Sequence, residues 1–377
     1  MRSKFSVANI LQAEQKNVQS NSLSGWHLKS LEAIRRCRTA ELGGHIDACT
    51  CCQKIHLSYN SCRNRHCPRC QGHKRVAWIA AREKELLNVT YFHVVFTMPH
   101  ELNGLCIRYP KQMYDALFKT AWATLSTFSK NERDTKMGMV AVLHTWGSNL
   151  SLHPHLHCIV PGGGVCNKTD RWKSSKQKGK FLFAVKAVSI VYKNKLLAEI
   201  KDLLTTELRN KLYKKNWVVY AKRPFGKPEN VVEYLGRYSH KIAISNHRLQ
   251  HLDYEKKRVT FGAKSYRQGG KKVSVTLSFT EFIRRFQLHI LPRGFTRIRH
   301  YGILSSSWKK EKLPALQAKL LDGKFIKLAK EKPSIHRLCP SCKKGTLVTV
   351  CTFTSRGPPS EYAHLLKIKT KPTLKNN

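Results

Sequence analysis

Residues 139–164 read Met139-Val-Ala-Val-Leu-His-Thr-Trp-Gly-Ser-Asn-Leu-Ser-Leu-His-Pro-His-Leu-His-Cys-Ile-Val-Pro-Gly-Gly-Gly164. Met139–Trp146 is an apolar strand pattern, and Leu152–Val160 is a second one. Between them stand Gly147, Ser148, Asn149 and Ser151, the residues of a turn. The stretch is therefore a β-hairpin. Successive side chains on a strand point to opposite faces, so His155 and His157 share one face while Leu156 goes into the core. A turn centred near Asn149 and Leu150 sets His144 across from His155, with side chains about 5 Å apart on that face. Three imidazoles converging from two strands make a metal site. A one-residue slip of the hairpin turns His144 away. His153, which shares the parity of His155, is then the reserve ligand.

Working outward, the rest of the chain carries a very unequal charge. It has 377 residues, with 69 Lys+Arg against 23 Asp+Glu and a formal charge of +46. An enzyme for small neutral substrates has no use for such a field, which attracts polyanions, nucleic acid first among them. The length suggests two or three domains, and 41% hydrophobic residues are enough for a real core. No apolar run reaches the eighteen residues of a membrane span. The N-terminus does not read as a secretory signal. The expected location is the cytoplasm, in association with the nucleoid, where the 13 cysteines stay reduced and clustered ones are metal ligands.

Residues 1–40 read as a basic helical arm. Two Cys-x-x-Cys knuckles follow, Cys49/Cys52 and Cys67/Cys70, separated by 14 residues. Together they suit one tetrahedral thiolate zinc that holds a small domain together. Cys62, His45, His66 and His73 crowd the same block and can replace a ligand or build a second site. Arg63, Arg65, Arg69, Lys74 and Arg75 surround it. Near the other end Cys339-Pro-Ser-Cys342 is a lone knuckle, for which Cys351 is a third candidate ligand and no fourth is evident.

Between these blocks, Val76–Leu87 reads as a helix and Tyr91–Thr97 as a strand. Residues 101–130 and 189–213 read as helices, with short strands at 181–185 and 216–221. Glu229–Ser239 reads as a helix carrying Tyr234 and Tyr238 at i and i+4, on one face. Val259–Ala263 and Val273–Phe279 read as a strand pair joined through Gln268-Gly269-Gly270. Beyond Ser305 the chain is lysine-rich.

Five of these stretches, in this order, resemble rolling-circle insertion-sequence transposases of the insertion-sequence-ninety-one family. Tyr59-Asn-Ser-Cys-Arg-Asn-Arg-His-Cys-Pro-Arg-Cys70 resembles their zinc module, and Phe92-His-Val-Val-Phe-Thr-Met-Pro99 their first nuclease strand. His144-Thr-Trp-Gly with His153-Pro-His-Leu-His157 resembles the histidine–hydrophobe–histidine hairpin. Tyr234-Leu-Gly-Arg-Tyr-Ser-His240 resembles the two-tyrosine helix, and Arg297-Ile-Arg-His-Tyr-Gly302 a further family stretch.

The resemblance implies an α+β domain of the HUH nuclease type. Its sheet is mainly antiparallel, with the histidine strand central and the tyrosine helix alongside. It implies Tyr234 and Tyr238 as nucleophiles that cut single-stranded DNA through 5′-phosphotyrosine intermediates. His144, His155 and His157 would hold the metal, with His153 or His240 as the alternative third ligand. Mg²⁺ or Mn²⁺ is the expected ion, although three imidazoles also accept Zn²⁺ or Ni²⁺. The Gly162–Gly164 loop would admit a DNA backbone. The expected partition is 1–88 for the arm and zinc module, 89–305 for the nuclease, and 306–377 for a basic tail. The expected partners are single-stranded transposon ends and target, with a host helicase as a further candidate and no membrane. Two other readings of the same features are a plasmid replication initiator or relaxase, and a non-catalytic zinc-bearing nucleic-acid-binding protein.

Overall fold

The alternation around Leu156 becomes the middle strand of a five-stranded antiparallel sheet. In the computed structural model the described residues are 3–20, 24–70, 72–175, 182–222, 236, 242–265, 268–321 and 337–365. They fall into two units, residues 72–328 and residues 1–71 with 329–377. Strands are numbered here in chain order.

In the larger unit, β3 (Tyr91–Thr97), β5 (Gly138–Trp146), β6 (Leu152–Pro161), β9 (Val219–Lys222) and β13 (Ile298–Gly302) form the sheet, in the order β13-β5-β6-β3-β9. One face is largely apolar. Phe92, Val94 and Phe96 of β3, Leu156, Cys158 and Val160 of β6, and Ala141 and Leu143 of β5 pack there in one core. The helices Pro110–Arg133 and Val185–Glu199 supply Phe118 and Tyr192 to the same core. Phe96, Phe118 and Tyr192 are fully buried, each stabilising the fold by roughly 1.5–3 kcal/mol.

The other face changes character along the strands. At one end Tyr91, Val140 and Ile159 lie under Leu313 and Leu316 of the helix Leu313–Leu321. At the other end the same face carries histidines. The segment 306–321 thus completes this unit's core, so the lysine-rich tail does not begin at 306 as its composition suggests. The helix Gly72–Glu83 also falls in this unit rather than with the cysteines.

Two smaller sheets follow. One contains β4 (Thr135–Lys136), β7 (Gly163–Cys166) and β8 (Trp172–Ser174). Here the Gly162–Gly164 run is buried. A Cβ at Gly163 would lie 2.6 Å from the Lys173 carbonyl oxygen and from the Trp172 ring. Those glycines let strands close up and do not form an open approach for DNA. The other sheet contains β10 (Leu249–Asp253), β11 (Arg258–Ser265) and β12 (Lys271–Ser278), and extends the expected strand pair by one strand. The expected helix over 189–213 is in fact two, Val185–Glu199 and Thr206–Lys214, and no strand forms at 182–184.

In the smaller unit, β1 (Gly44–Cys49) pairs with β2 (Ile55–Tyr59) on one side and with β14 (Leu347–Phe353) on the other. Both pairings are antiparallel, running Gly44↔Phe353 to Cys49↔Leu347 against β14. The C-terminal segment is therefore a strand of the N-terminal module, not a separate region. Among the described residues no helix is long and apolar enough to cross a membrane.

Candidate metal centres and the histidine cleft

Two groups of four cysteines form in the smaller unit: Cys37, Cys62, Cys67 and Cys70, and Cys49, Cys52, Cys339 and Cys342. Four thiolates around zinc at about 2.3 Å stand roughly 3.8 Å apart. Cys62 and Cys70 are 3.7 Å apart, Cys37 and Cys70 3.5 Å, Cys49 and Cys342 3.6 Å, and Cys52 and Cys339 3.7 Å. The single set Cys49, Cys52, Cys67 and Cys70 expected from spacing is not assembled. Its two knuckles belong to different centres, because the β1–β14 pairing brings the distant Cys339/Cys342 knuckle to Cys49 and Cys52. Cys351 on β14 is not a member of either group.

The knuckles have the backbone that thiolate ligation needs. The N–H groups of Cys51 and Cys52 donate to Cys49 Sγ at 3.4 Å, and that of Gly345 donates to Cys342 Sγ at 3.4 Å. At Gly345 a Cβ would stand 2.5 Å from Cys49 Sγ, so the tight approach requires glycine. Arg69 reaches across the first centre, donating to the Cys37 carbonyl at 2.9 Å and to Ser6 Oγ at 3.0 Å. Its charge therefore has a structural task, whatever it does for DNA.

In the larger unit, the hairpin register pairs His144 with His155 and Val142 with His157. The ligand atoms of His144, His155 and His157 lie within 4.8 Å of one another. Trp146 pairs with Leu152, so two residues, His153 and Pro154, oppose Thr145 alone. Proline has no N–H for a ladder and is confined within sheets to edges and bulges. The bulge at Pro154 breaks the parity on which His153 was the reserve ligand, and His153 is exposed and outside the cluster.

Hydrogen-bond partners constrain the ring tautomers. His155 Nδ1 lies 2.6 Å from the His153 carbonyl oxygen and must donate to it, leaving Nε2 with a lone pair. His157 Nδ1 lies 2.9 Å from His93 Nε2, and the two ring planes are within 9° of parallel. Burial pulls the His93 pKa down to about 4. A neutral His93 can accept the His157 Nδ1 proton. With the bond in that direction, His157 Nε2 carries a second lone pair, 3.2 Å from His155 Nε2. Two nitrogens each about 2.1 Å from one ion stand roughly 3.0–3.4 Å apart. Lone pairs so directed repel unless a cation or proton lies between them, so the donor set fits a divalent metal. His144, 2% exposed, closes the third side with its ring stacked on Trp146.

His93 is the residue that sequence reading missed. Its signal was present: it lies on β3 at the parity of Val95 and Thr97, which pair with His157 and His155. Metal-bound histidines regularly hand their other N–H to such a partner, which sets ring orientation and tautomer.

The turn of the hairpin is held from outside. His289, fully buried, donates from Nε2 to the Leu150 carbonyl at 3.1 Å, and its Nδ1 accepts from Thr145 Oγ1 at 3.2 Å. Desolvation pulls its pKa down to about 4. The 297–302 stretch forms β13, which pairs with β5 along Ile298↔Val142 to Gly302↔Gly138. Arg299 there stacks over Phe118 at 4.3 Å and pairs with Asp115.

The histidines open on a cleft of about 780 Å³, whose walls include Thr97, Trp146, Lys264 and Lys272. Tyr234, Tyr238 and His240 lie outside the described residues. Gly236 between the tyrosines is described: it is helical and buried, and a Cβ there would collide with the Ile79 side chain.

Two family models match the chain, a "Transposase zinc-binding domain" of the IS91 type over residues 9–98 and a "Putative transposase" over 138–312. The first covers β1 to β3 and the second the histidine hairpin through β13. A "Putative transposase y4qJ" of Sinorhizobium fredii (strain NBRC 101917 / NGR234) is 39% identical, across 95% of this chain and 98% of its own. The "Transposase for insertion sequence element IS801" of Pseudomonas savastanoi pv. phaseolicola is 26% identical, across 79% of this chain and 75% of its own. No solved structure matches. With a zinc-binding module of four-cysteine centres and a relative alike over nearly its whole length, the chain belongs to the IS91-type transposase family, enzymes that cleave DNA and transfer its strands.

Proposed function

We propose that this transposase works by rolling-circle transposition, cutting and rejoining single-stranded DNA through 5′-phosphotyrosine intermediates, on a nuclease domain of the HUH type. The observation that carries the reading is the convergence of His144, His155 and His157 on one point at the floor of an open cleft. A divalent ion bound there, Mg²⁺ or Mn²⁺, would polarise the scissile phosphate and stabilise its developing charge.

The chain's own residues do the rest. His93 and the His153 carbonyl hold the protons of His157 and His155 on Nδ1, so that both Nε2 atoms face the same point. Tyr234 or Tyr238 supplies the nucleophile. Its phenol loses a proton, its oxygen bonds to phosphorus, and the bond from phosphorus to the 3′ oxygen breaks, that oxygen leaving as a hydroxyl. The bond energy is kept in the phosphotyrosine for rejoining. A second tyrosine four residues on takes a second strand end while the first is occupied. The strand ends come from the element and its target, and a host helicase is the candidate source of unwound DNA.

Labelled single-stranded oligonucleotides carrying the element's ends test the reading. The native chain with Mn²⁺ should form a covalent protein–DNA adduct. Tyr234→Phe with Tyr238→Phe should abolish it while DNA binding persists. His155→Ala should reduce it by on the order of 100-fold or more, through loss of the metal. An adduct that survives the double tyrosine change refutes the mechanism.

A further inference from the structure

The sheet β10–β12 has two unlike faces. Val259, Phe261 and Ala263 of β11 are buried, and Phe261 meets Phe282 of the helix Phe279–Gln287 edge-on at 5.9 Å. The opposite face is polar. There Thr260 pairs with Thr276, Gly262 with Ser274, and Lys264 with Lys272. Two lysines directly opposite one another repel, and a sheet gains nothing from them unless an anion sits between. Both are exposed, and no described carboxylate forms a salt bridge with either.

This face is fixed beside the histidines. The Lys264 N–H donates to Ser148 Oγ at 2.6 Å. Arg248 donates to the carbonyls of Ser148 and Gly262, the latter at 2.8 Å, and Arg285 to that of Asn149 at 3.2 Å. Ser148 and Asn149 are the turn of the histidine hairpin, so sheet and hairpin are joined at that turn. Lys264, Lys272, Gln250 and Ser274 therefore line the same cleft as His144, His155 and His157.

We propose that the polar face of β10–β12 is the wall on which the substrate strand lies. Phosphates flanking the scissile one rest between Lys264 and Lys272, and the Gln250 and Ser274 side chains, bonded to each other at 2.9 Å, present hydrogen-bonding groups beside them. The occupant is a single DNA strand rather than a duplex. This assignment rests on the proposed function, because the strand's course is set by a phosphate at the histidines. Gly262 fits the role: it leaves a gap in the wall between Thr260 and Lys264, and a Cβ there would meet only Gln250 Nε2, at 3.6 Å.

The test is binding without cleavage. The full-length chain in EDTA-free buffer without added divalent ion is titrated with a fluorescent single-stranded oligonucleotide at several salt concentrations. Lys264→Ala with Lys272→Ala should weaken binding roughly tenfold near physiological salt. It should also lower the slope of log K against log salt by about 1.4, or ~0.7 for each phosphate no longer neutralised. Lys186→Ala, an exposed lysine on the helix Val185–Glu199, is the control and should change neither. Mn²⁺ affinity should be unchanged in all variants, which shows that the fold and the histidines are intact. A double variant that binds like the control overturns the proposal. So does an equal loss on a duplex of the same length. If the native chain binds single strands through these lysines yet forms no covalent adduct, the phosphotyrosine reading fails and the wall stands.

Discussion

The cysteine centres and the histidine cluster each gather enough ligand atoms for a metal ion, and they differ in how those atoms are arranged. Each cysteine centre offers four sulfurs at the spacing of a closed tetrahedron, one braced by Arg69 and the other by backbone N–H groups. The histidine cluster offers three nitrogens on the floor of a cleft. Ligand number and access separate a metal that holds a fold from one positioned to act on a substrate. The two regions also differ in what shapes them. The cysteine unit has a small sheet whose strands β1, β2 and β14 carry mostly half-exposed or exposed side chains outside β1. The histidine hairpin belongs to a large apolar core, held by side-chain packing on both flanking strands.

Removing metal from both regions should have the largest effect. Zinc ligation of this type contributes about 10 kcal/mol or more to folding. Purified chain should carry two zinc ions that resist mild chelation. Either Cys62→Ala or Cys339→Ala should lower the zinc content by at least half and destabilise the smaller unit, measured by metal analysis and proteolysis. His155→Ala should leave the melting of the larger unit unchanged. A smaller unit that keeps its fold without zinc would erase the distinction.

A second prediction concerns what holds the hairpin in place of metal. His289 is neutral in the folded chain because burial lowers its pKa to about 4, against 6.5 when unfolded. Above about pH 6.5 both states are neutral there. As pH falls from 6.5 towards 4 the unfolded chain takes up the proton and the folded chain does not, so stability is lost across that window, by up to about 3 kcal/mol. His289→Gln, which keeps a donor for the Leu150 carbonyl, should flatten this part of the stability–pH curve. An unchanged curve would show that the acid sensitivity lies elsewhere.

The smallest effect sharpens the open site itself. His93→Ala removes the acceptor for the His157 Nδ1 proton. Loss of such an outer partner weakens metal binding by roughly 10–100-fold. Mn²⁺ titration followed by electron paramagnetic resonance should show it without any DNA, and His93→Gln should recover part of the loss. Affinity unaltered by both changes would mean that His157 needs no help to face the ion.

Much of this was legible from residue order because it depends on local rules. Alternation around Leu156 placed His155 and His157 on one face, and the turn residues at 147–151 set the register that pairs His144 with His155. Strand period and turn chemistry act over a few residues, and no distant contact overrode them. The charge of +46 likewise states the class of partner without reference to any fold. Other features were hidden because they depend on pairing between distant segments. The grouping of Cys49 and Cys52 with Cys339 and Cys342 follows from β14 adding to the edge of β1, a partner almost 300 residues away that spacing within one block cannot anticipate. His93 acquires its role only when β3 is laid against β6. The face that Lys264 and Lys272 turn to the histidines exists because Arg248, Arg285 and the Lys264 N–H bind the hairpin turn. Sequence by itself determined the chemistry of each strand and knuckle, since side-chain type and period are local. Only the tertiary structure decided which of them meet, since strand addition and hydrogen bonding between remote backbones are settled by the packed fold as a whole.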